Sequence, residues 1–332
     1  MNQSVQETAP TSDSGMKSAR LREKLERMLG PVILGLLRDS SVVEVLLNPD
    51  GRIWVERQGQ PMVPAGEMRE SAATSVMNVV ASGLNTTIDH RNPILECELP
   101  WDRKPRFEAL VPPIVSGPTF TIRMKAERIF TLDDYVTSGI MTMPQCEVIR
   151  HAVAGHRNIL VAGGTGTGKT TLTNAIIREI TDQYPHERIC IIEDTGELQC
   201  AAQNAVIMRA VDGVSMTRLL KATMRLRPDR ILVGEVRDGC ALDLIKAWNT
   251  GHPGGVATVH SNTEEGAISA LMRMEELVAE VQVAPAQKRI AQAVNVVVMI
   301  ERTAQGRRVR SVTQVRGYDG SDYQLEEMEQ AA

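Results

Sequence analysis

The chain has 332 residues, a formal net charge of −4, 42% apolar residues and only 3% aromatic residues. This length predicts about two domains, each large enough to bury its own core. The negative charge argues against a surface built mainly to bind nucleic-acid phosphates, and no apolar run approaches the ~18 residues of a membrane-spanning helix. Since the N-terminus also lacks the pattern of a signal peptide, a cytoplasmic protein is expected.

The first half of the chain predicts a polar tail followed by an α+β domain. Residues 1–16 carry two acids and no base, and we expect them to be disordered. Apolar residues at helical spacing predict a helix from Ser18 to about residue 36, and Asn48-Pro49-Asp50-Gly51 predicts the turn of a β-hairpin. The remaining elements are predicted as a helix near 70–83 and strands at 94–99, 106–111 and 119–124. The domain is expected to span residues 17–130.

The second half alternates apolar strands with helices, which predicts a mostly parallel sheet covered on both faces. The predicted strands are 158–163, 188–193, 205–209, 230–236 and 255–260. The predicted helices are 168–181, 215–226, 239–249 and 263–278, and a closing hairpin is predicted from 294–301 and 307–315. We expect a linker at 131–143, a nucleotide-binding domain at 144–316 and a solvated acidic tail at 317–332.

The most specific motif is a glycine-rich loop between an apolar strand and a helical pattern. It consists of Gly163, Gly164, Thr165, Gly166, Thr167, Gly168, Lys169, Thr170 and Thr171. The spacing is that of phosphate-binding loops, in which backbone N–H groups and a helix N-terminus surround phosphate oxygens. In this pattern Lys169 reaches the β- and γ-phosphates, and the hydroxyl of Thr170 holds Mg²⁺. The loop therefore predicts binding of a nucleoside triphosphate.

Two carboxylates and a histidine end other strands of the same predicted sheet. Glu193 and Asp194 follow the strand after the loop helix, where carboxylates can hold Mg²⁺ or polarise an attacking water. The alternative is that Asp194 only caps a turn. His260 ends a later strand and is a candidate sensor of the γ-phosphate, although a lone histidine is usually satisfied by local contacts.

A third strand ends in a single acid, Glu235. Three apolar residues before an acid are typical of the second nucleotide-binding motif, the Walker B strand, and its acid can coordinate the metal through water. Gly234 stands where an aspartate often precedes this acid. The competing interpretation is a structural salt bridge from Glu235 to Arg237 or Arg230.

Taken in order, these motifs resemble Walker A, the Asp box, Walker B and the His box of the secretion or traffic ATPases. That family comprises the motors of type II and type IV secretion, pilus assembly and conjugation, and a glycine before its Walker B acid is usual. The resemblance extends from about residue 40 to 300 and points to the conjugal-transfer ATPases of type IV systems. The absence of Cys-x-x-Cys pairs counts against the type II branch, many of whose members carry a tetracysteine zinc element.

The resemblance implies an α/β protein in which a smaller α+β domain precedes a RecA-like P-loop NTPase domain. It implies a homo-hexamer that hydrolyses ATP with Mg²⁺, with Lys169, Glu193, Glu235 and His260 as catalytic residues. Thr170, Glu193 and Glu235 are then the residues that serve the metal.

The resemblance also implies that an arginine of the N-terminal domain reaches the phosphates. Here that residue is Arg123, in Thr121-Ile122-Arg123, and Arg209 is a weaker candidate of the same kind. Without the resemblance, Arg123 is better interpreted as a solvent-exposed strand residue.

The expected partners are channel proteins of a bacterial inner membrane, with the chain peripheral to that membrane on its cytoplasmic side. Nucleic acid is not expected as the main direct ligand. Three alternatives stay open: a pilus assembly or retraction motor of the same family, a DNA-stimulated motor, and a nucleotide-gated scaffold. A metabolite kinase is the least favoured, since no acceptor-site motif is present.

Overall fold

The chain forms two units in the computed structural model, residues 1–127 and 128–332. The structure describes residues 12–125, 129–211, 213–262, 265–281 and 286–329. Among the helices of these ranges, none combines the length and the apolar content needed to cross a membrane.

The first unit contains two helices and an antiparallel sheet that share one apolar core. Its elements are α1 Ser12–Arg38, β1 Val42–Leu47, β2 Arg52–Arg57, β3 Val63–Glu67, α2 Glu70–Gly83, β4 Ile94–Glu98, β5 Arg106–Leu110 and β6 Thr119–Arg123. The strand order is β3-β2-β1-β6-β5-β4. The predicted hairpin is confirmed, because β1 pairs with β2 and Gly51 takes a φ of 84° at the turn.

Two features of the first unit differ from the predictions. Helix α1 already begins at Ser12, so the predicted tail 1–16 is helical over its last residues, while residues 1–11 lie outside the described ranges. Strand β3 was not predicted, because Pro64 and Gly66 are depleted in strands. These residues are tolerated because β3 is an edge strand, paired on one side only.

The second unit is built on a sheet with strand order β14-β13-β12-β7-β11-β10-β8-β9. Its elements are α3 Leu132–Thr137, α4 Met143–Ala154, β7 Ile159–Gly163, α5 Lys169–Gln183, β8 Ile189–Glu193, β9 Ala205–Arg209, α6 Met216–Thr223, β10 Arg230–Val233, α7 Cys240–Asn249, β11 Val256–His260, α8 Ala267–Ala279, α9 Gln287–Ala293, β12 Val296–Thr303, β13 Gly306–Tyr318 and β14 Tyr323–Glu329. The strands from β12 to β9 are parallel, and β13 and β14 are antiparallel.

Helices cover both faces of this sheet, as predicted. Alternate residues of β7 enter different apolar cores: Leu160 packs with α7 and α8, whereas Ile159 packs with α4 and α5. Since the strands are buried on both faces, their sequences are continuously apolar and do not alternate. The parallel arrangement brings the carboxyl ends of β7, β8, β10 and β11 to one edge, where ligands bind in such folds.

The segment predicted as a linker, residues 131–143, instead belongs to the second unit. It contains α3, whose first turn is held by a capping box between Thr131 and Asp134. Leu132 and Tyr135 of this helix are buried in the same core as α4 and α5. The prediction was wrong because the threonine that appeared to interrupt the apolar pattern is the N-cap of a short helix.

The predicted acidic tail, residues 317–332, contains strand β14. This strand pairs with β13, and Glu326 forms an ion pair with Arg316 on the neighbouring strand. The hydroxyl of Tyr323 donates to Glu275 on α8 at 2.8 Å. Acidic residues are compatible with this strand because β14 lies at the edge of the sheet, where charged side chains remain in water.

Strand β10, which leads to Glu235, is anchored at its first residue by a completely buried arginine. The Arg230 side chain is 0% exposed, and its Nε donates to Glu187 at 2.5 Å. Its guanidinium also donates to the carbonyl of Gly254 at 3.1 Å and lies 4.7 Å from the ring centroid of Tyr184.

We expect Arg230→Ala to destabilise the second unit by about 3–5 kcal/mol, because it takes the guanidinium from the buried Gly254 carbonyl and from the mostly buried Glu187, which keeps its contact with His156. For a unit of this size the melting temperature would fall by roughly 6–20 °C, measured by thermal unfolding. The matched control is Arg316→Ala, which breaks a solvent-exposed pair and is expected to cost less than about 1 kcal/mol. Equal melting temperatures for the two variants would contradict the anchoring role.

Candidate nucleotide-binding site

The phosphate-binding loop connects β7 to α5 and depends on glycine at two positions. A side chain at Gly163 would collide with the carbonyl oxygen of Ile300 on β12. Gly168, immediately before α5, takes a φ of 98°, which only glycine adopts without strain. Thr167 stabilises the curve by donating its hydroxyl hydrogen to the carbonyl of Gly164 at 3.0 Å. The glycine-rich segment therefore forms a loop that ends at the N-terminus of α5, where backbone N–H groups can bind phosphate oxygens.

Lys169 is buried at the centre of this loop. Its Nζ donates to the carbonyls of Gly163 at 3.0 Å and Gly164 at 2.8 Å, and to Nδ1 of His260 at 3.2 Å. Because the ammonium group can only donate, Nδ1 of His260 accepts, and the neutral ring carries its proton on Nε2. The structure thus brings two predicted site residues from β11 and α5 into direct contact.

His260 connects this lysine to the predicted acid of the third motif. Its Nε2 lies 2.9 Å from Oε1 of Glu235. Arg237 donates to Oε2 of Glu235 at 2.7 Å and to Asp194 at 2.7 Å. The competing interpretation of Glu235 is therefore correct as far as Arg237 is concerned, while Arg230 pairs with Glu187 instead. Glu235 nevertheless contacts His260, which contacts Lys169 of the loop. The salt bridge with Arg237 is therefore compatible with a role of Glu235 in the site.

The pKa of His260 lies below its ordinary value of 6.5. Burial is the largest cause, and the positive charge of Lys169 acts in the same direction, while Glu235 opposes both. The imidazole is therefore held neutral near pH 7, which is the form that can accept from Lys169.

Glu193 explains why glycine stands at position 234. The Glu193 side chain is buried, and a Cβ placed on Gly234 would lie 2.9 Å from the Cβ of Glu193. An aspartate at position 234 has no room, so the carboxylate beside the Walker B strand comes from the neighbouring strand β8. The backbone N–H of Leu198 donates to Glu193 at 3.0 Å and fixes its direction.

A further acid, Glu197, was not selected from the sequence. The hydroxyl of Thr170 donates to Oε2 of Glu197 at 3.2 Å, so this acid lies at the position predicted to serve Mg²⁺. Asn174 on α5 holds the segment in place, since it donates to the Glu197 carbonyl and accepts from the N–H of Gln199. Glu197 belongs to the acidic cluster that follows β8 in the sequence. Its contact with α5 could not be predicted, because it depends on the path of a loop without regular structure.

No three His, Cys, Asp or Glu side chains within the described ranges converge to form a metal site by themselves. Of the predicted metal residues, Thr170 contacts Glu197, and Glu193 accepts from the N–H of Leu198. The two predicted arginines end strands: Arg123 ends β6 in the first unit, and Arg209 ends β9, where it is the register partner of Glu193. The roles of both arginines toward phosphate stay predictions.

The chain matches the family model described as type II/IV secretion system protein over residues 27–324. It is 53% identical to the probable conjugal transfer protein TrbB of Sinorhizobium fredii, covering 92% of this chain and 93% of that protein. It is 32% identical to the type IV secretion system protein VirB11 of Bartonella quintana, covering 75% of this chain and 79% of the relative. Its fold is similar to that of the Legionella pneumophila ATPase DotB, with a TM-score of 0.58 and 17% identity over 95% of this chain and 84% of that one.

Proposed function

Because this chain belongs to the type II/IV secretion system protein family, we propose that it hydrolyses ATP to power a type IV secretion system of the conjugal-transfer kind. The observation that carries the proposal is the contact of Lys169, inside the phosphate-binding loop, with His260 and through it with Glu235. This arrangement joins the residues that hold phosphate to a carboxylate suited to activate water.

In the proposed reaction, the loop N–H groups and Lys169 bind the phosphates, and the ammonium group neutralises charge as the γ-phosphoryl group leaves. Glu235 orients the attacking water and accepts its proton, and Arg237 keeps this carboxylate in place. Glu193 adds a second carboxylate beside it.

The residues present fit a Mg²⁺ ion bound together with the nucleotide. The Thr170 hydroxyl and the Glu197 carboxylate lie together at the start of α5, and oxygen donors of this kind suit Mg²⁺. The ion would neutralise negative charge on the β- and γ-phosphates. Since no preformed cage is present among the described residues, most of its ligands would be phosphate oxygens and waters.

The proposed working form is a homo-hexamer, peripheral to the inner membrane on its cytoplasmic side, that acts on channel proteins of the secretion apparatus. In this form, Arg123 would reach the phosphates from the N-terminal domain. The family relationship supports this part of the proposal.

Steady-state phosphate release by the purified full chain, with Mg²⁺ and ATP, tests the function. Many turnovers per subunit are expected. Tight ATP binding without turnover would identify a nucleotide-gated scaffold instead. Strong stimulation by single-stranded DNA that falls steeply with salt would identify a nucleic-acid motor.

Substitutions of His260 should separate its two contacts. Asn preserves an acceptor near Nδ1 and loses the contact with Glu235, whereas Gln preserves a donor near Nε2 and loses the contact with Lys169. We expect both variants to lower the rate of ATP hydrolysis, by roughly 10- to 100-fold, because each breaks the connection between phosphate and base.

The wild-type rate is expected to fall as the pH drops below the ordinary histidine pKa of 6.5, toward the lowered pKa of His260. The rate falls because protonation of His260 places a second positive charge beside Lys169. Arg237 and Arg273 add to this repulsion, and Glu235 is the acid that opposes it. The two variants lack this group, so their rate–pH profiles should lose the acidic limb that His260 causes. A wild-type profile identical in shape to both variants would contradict the role of His260.

A further inference from the structure

The hairpin of β12 and β13 lies directly against the phosphate-binding loop. The carbonyl of Ile300 on β12 approaches Gly163, and the Cδ1 atom of Ile300 lies 3.8 Å from where a Cβ on Gly168 would be. On β13, Cδ and Nε of Arg307 lie 3.0 Å and 3.2 Å from that same point. The stem of Arg307 therefore covers Gly168, the residue that leads into Lys169.

Arg307 differs from the other arginines of this hairpin. Glu301 pairs with Arg308 at 2.5 Å and lies 3.7 Å from Arg310. Its negative charge is therefore balanced by these two arginines and not by Arg307. Arg307 is exposed and makes no hydrogen bond or ion pair with any residue in the described ranges. Its charge acts on Tyr135, but burial raises the pKa of this phenol, so the phenol stays neutral and does not balance the guanidinium charge.

A positive charge without a balancing acid thus stands at the loop, on an element other than the loop itself. The N–H groups of the loop and the N-terminus of α5 attract anions to the same place. A guanidinium offers five N–H donors in a planar fork that matches phosphate oxygens and stays charged at every working pH.

We propose that Arg307 is a phosphate-binding residue of this site, which pairs with phosphate oxygens of a nucleoside di- or triphosphate held by the loop. The inference rests on the proposed function, because it assumes that the loop binds such a nucleotide. Its consequence is that phosphate is held from two elements, α5 and the β12–β13 hairpin.

The test measures the binding of ATP and ADP, and of inorganic tripolyphosphate as a probe without base or ribose, to the full chain at equilibrium without turnover. Arg307→Ala is expected to weaken all three by roughly 10- to 100-fold, the usual effect of losing hydrogen bonds to a charged group. Arg307→Lys should retain part of the affinity, because it keeps the charge but not the fork. The matched control is Arg308→Ala, which removes the adjacent positive charge and should change affinity less than about twofold.

The outcomes separate this inference from the proposed function. One outcome is that wild type binds the nucleotides and that Lys169→Met lowers their affinity but Arg307→Ala does not. The role of Arg307 is then overturned, while the proposed function stands. A loss confined to ATP and ADP, with tripolyphosphate unchanged, would also overturn it and place the side chain at the base or ribose. If wild type binds none of the three ligands, the proposed function and this inference both fail. Melting temperatures of the variants check that each is folded.

Discussion

Replacement of Lys169 by methionine is expected to lower the rate of ATP hydrolysis by roughly 100-fold or more. Methionine preserves much of the buried side-chain volume but removes the ammonium group that contacts Gly163, Gly164 and His260. The ammonium charge then no longer opposes the developing negative charge of the phosphoryl group, and His260 loses its donor. The measurement is steady-state phosphate release at saturating ATP, together with the nucleotide dissociation constant.

The control for this substitution is Lys221→Met on α6. This lysine is mostly exposed and lies 3.7 Å from Asp243, so its loss removes one positive charge from the same unit without touching the loop. We expect wild-type turnover from the control and an unchanged fold in both variants. If Lys169→Met hydrolysed ATP at the wild-type rate, the loop would not be the hydrolytic site, and the proposed function would have to be abandoned.

The sequence predicted best those elements whose apolar residues recur at a regular spacing, because one or both faces of the element are buried. Helix α2 occupies Glu70–Gly83, as predicted, because its buried residues recur at helical spacing against one core. The parallel strands were recognisable because burial on both faces makes them continuously apolar. Helix α3 and strand β14 were missed for the opposite reason. Helix α3 is short and begins at a threonine that appeared to interrupt the pattern, and β14 is polar and stabilised by contacts distant in sequence, such as Tyr323 with Glu275.

The same distinction applies to the site. Glu193, Glu235 and His260 could be selected because parallel strands bring their carboxyl ends to one edge, and the structure places Glu235 and His260 in contact. Glu197 and Arg307 could not be selected in this way. The first reaches Thr170 through an irregular loop, and the second reaches Gly168 from a hairpin more than a hundred residues away.

Gly234 is the case where structure changes the meaning of a sequence feature. From the sequence it is a departure from the generic motif. In the structure, its missing side chain makes room for the Cβ of Glu193 on the adjacent strand. The site therefore has two acids. Glu193 ends β8, and Glu235 is the residue after Gly234. This arrangement makes it necessary to ask which acid activates water.

Replacement of Glu235 by glutamine is expected to leave the ATP dissociation constant within a few-fold of wild type and to lower hydrolysis by roughly 100- to 10,000-fold. Glutamine keeps the size of the side chain and one oxygen that can accept from Arg237, while its NH₂ group then faces the N–H of His260 and weakens that contact. What it loses is the basic carboxylate. The expected profile thus differs from that of Lys169→Met, which weakens binding and turnover together.

Glu193→Gln is the comparison that decides between the two acids. Glu193 is 1% exposed and accepts from the N–H of Leu198, which favours a fixed carboxylate that supports the site. Glu235 is linked through His260 to the lysine that holds phosphate, which favours it as the group facing the water. If Glu235→Gln turned over ATP like wild type while Glu193→Gln bound ATP without hydrolysing it, the base would be Glu193. In that case the contact between His260 and Glu235 would position Lys169 and take no part in activating water.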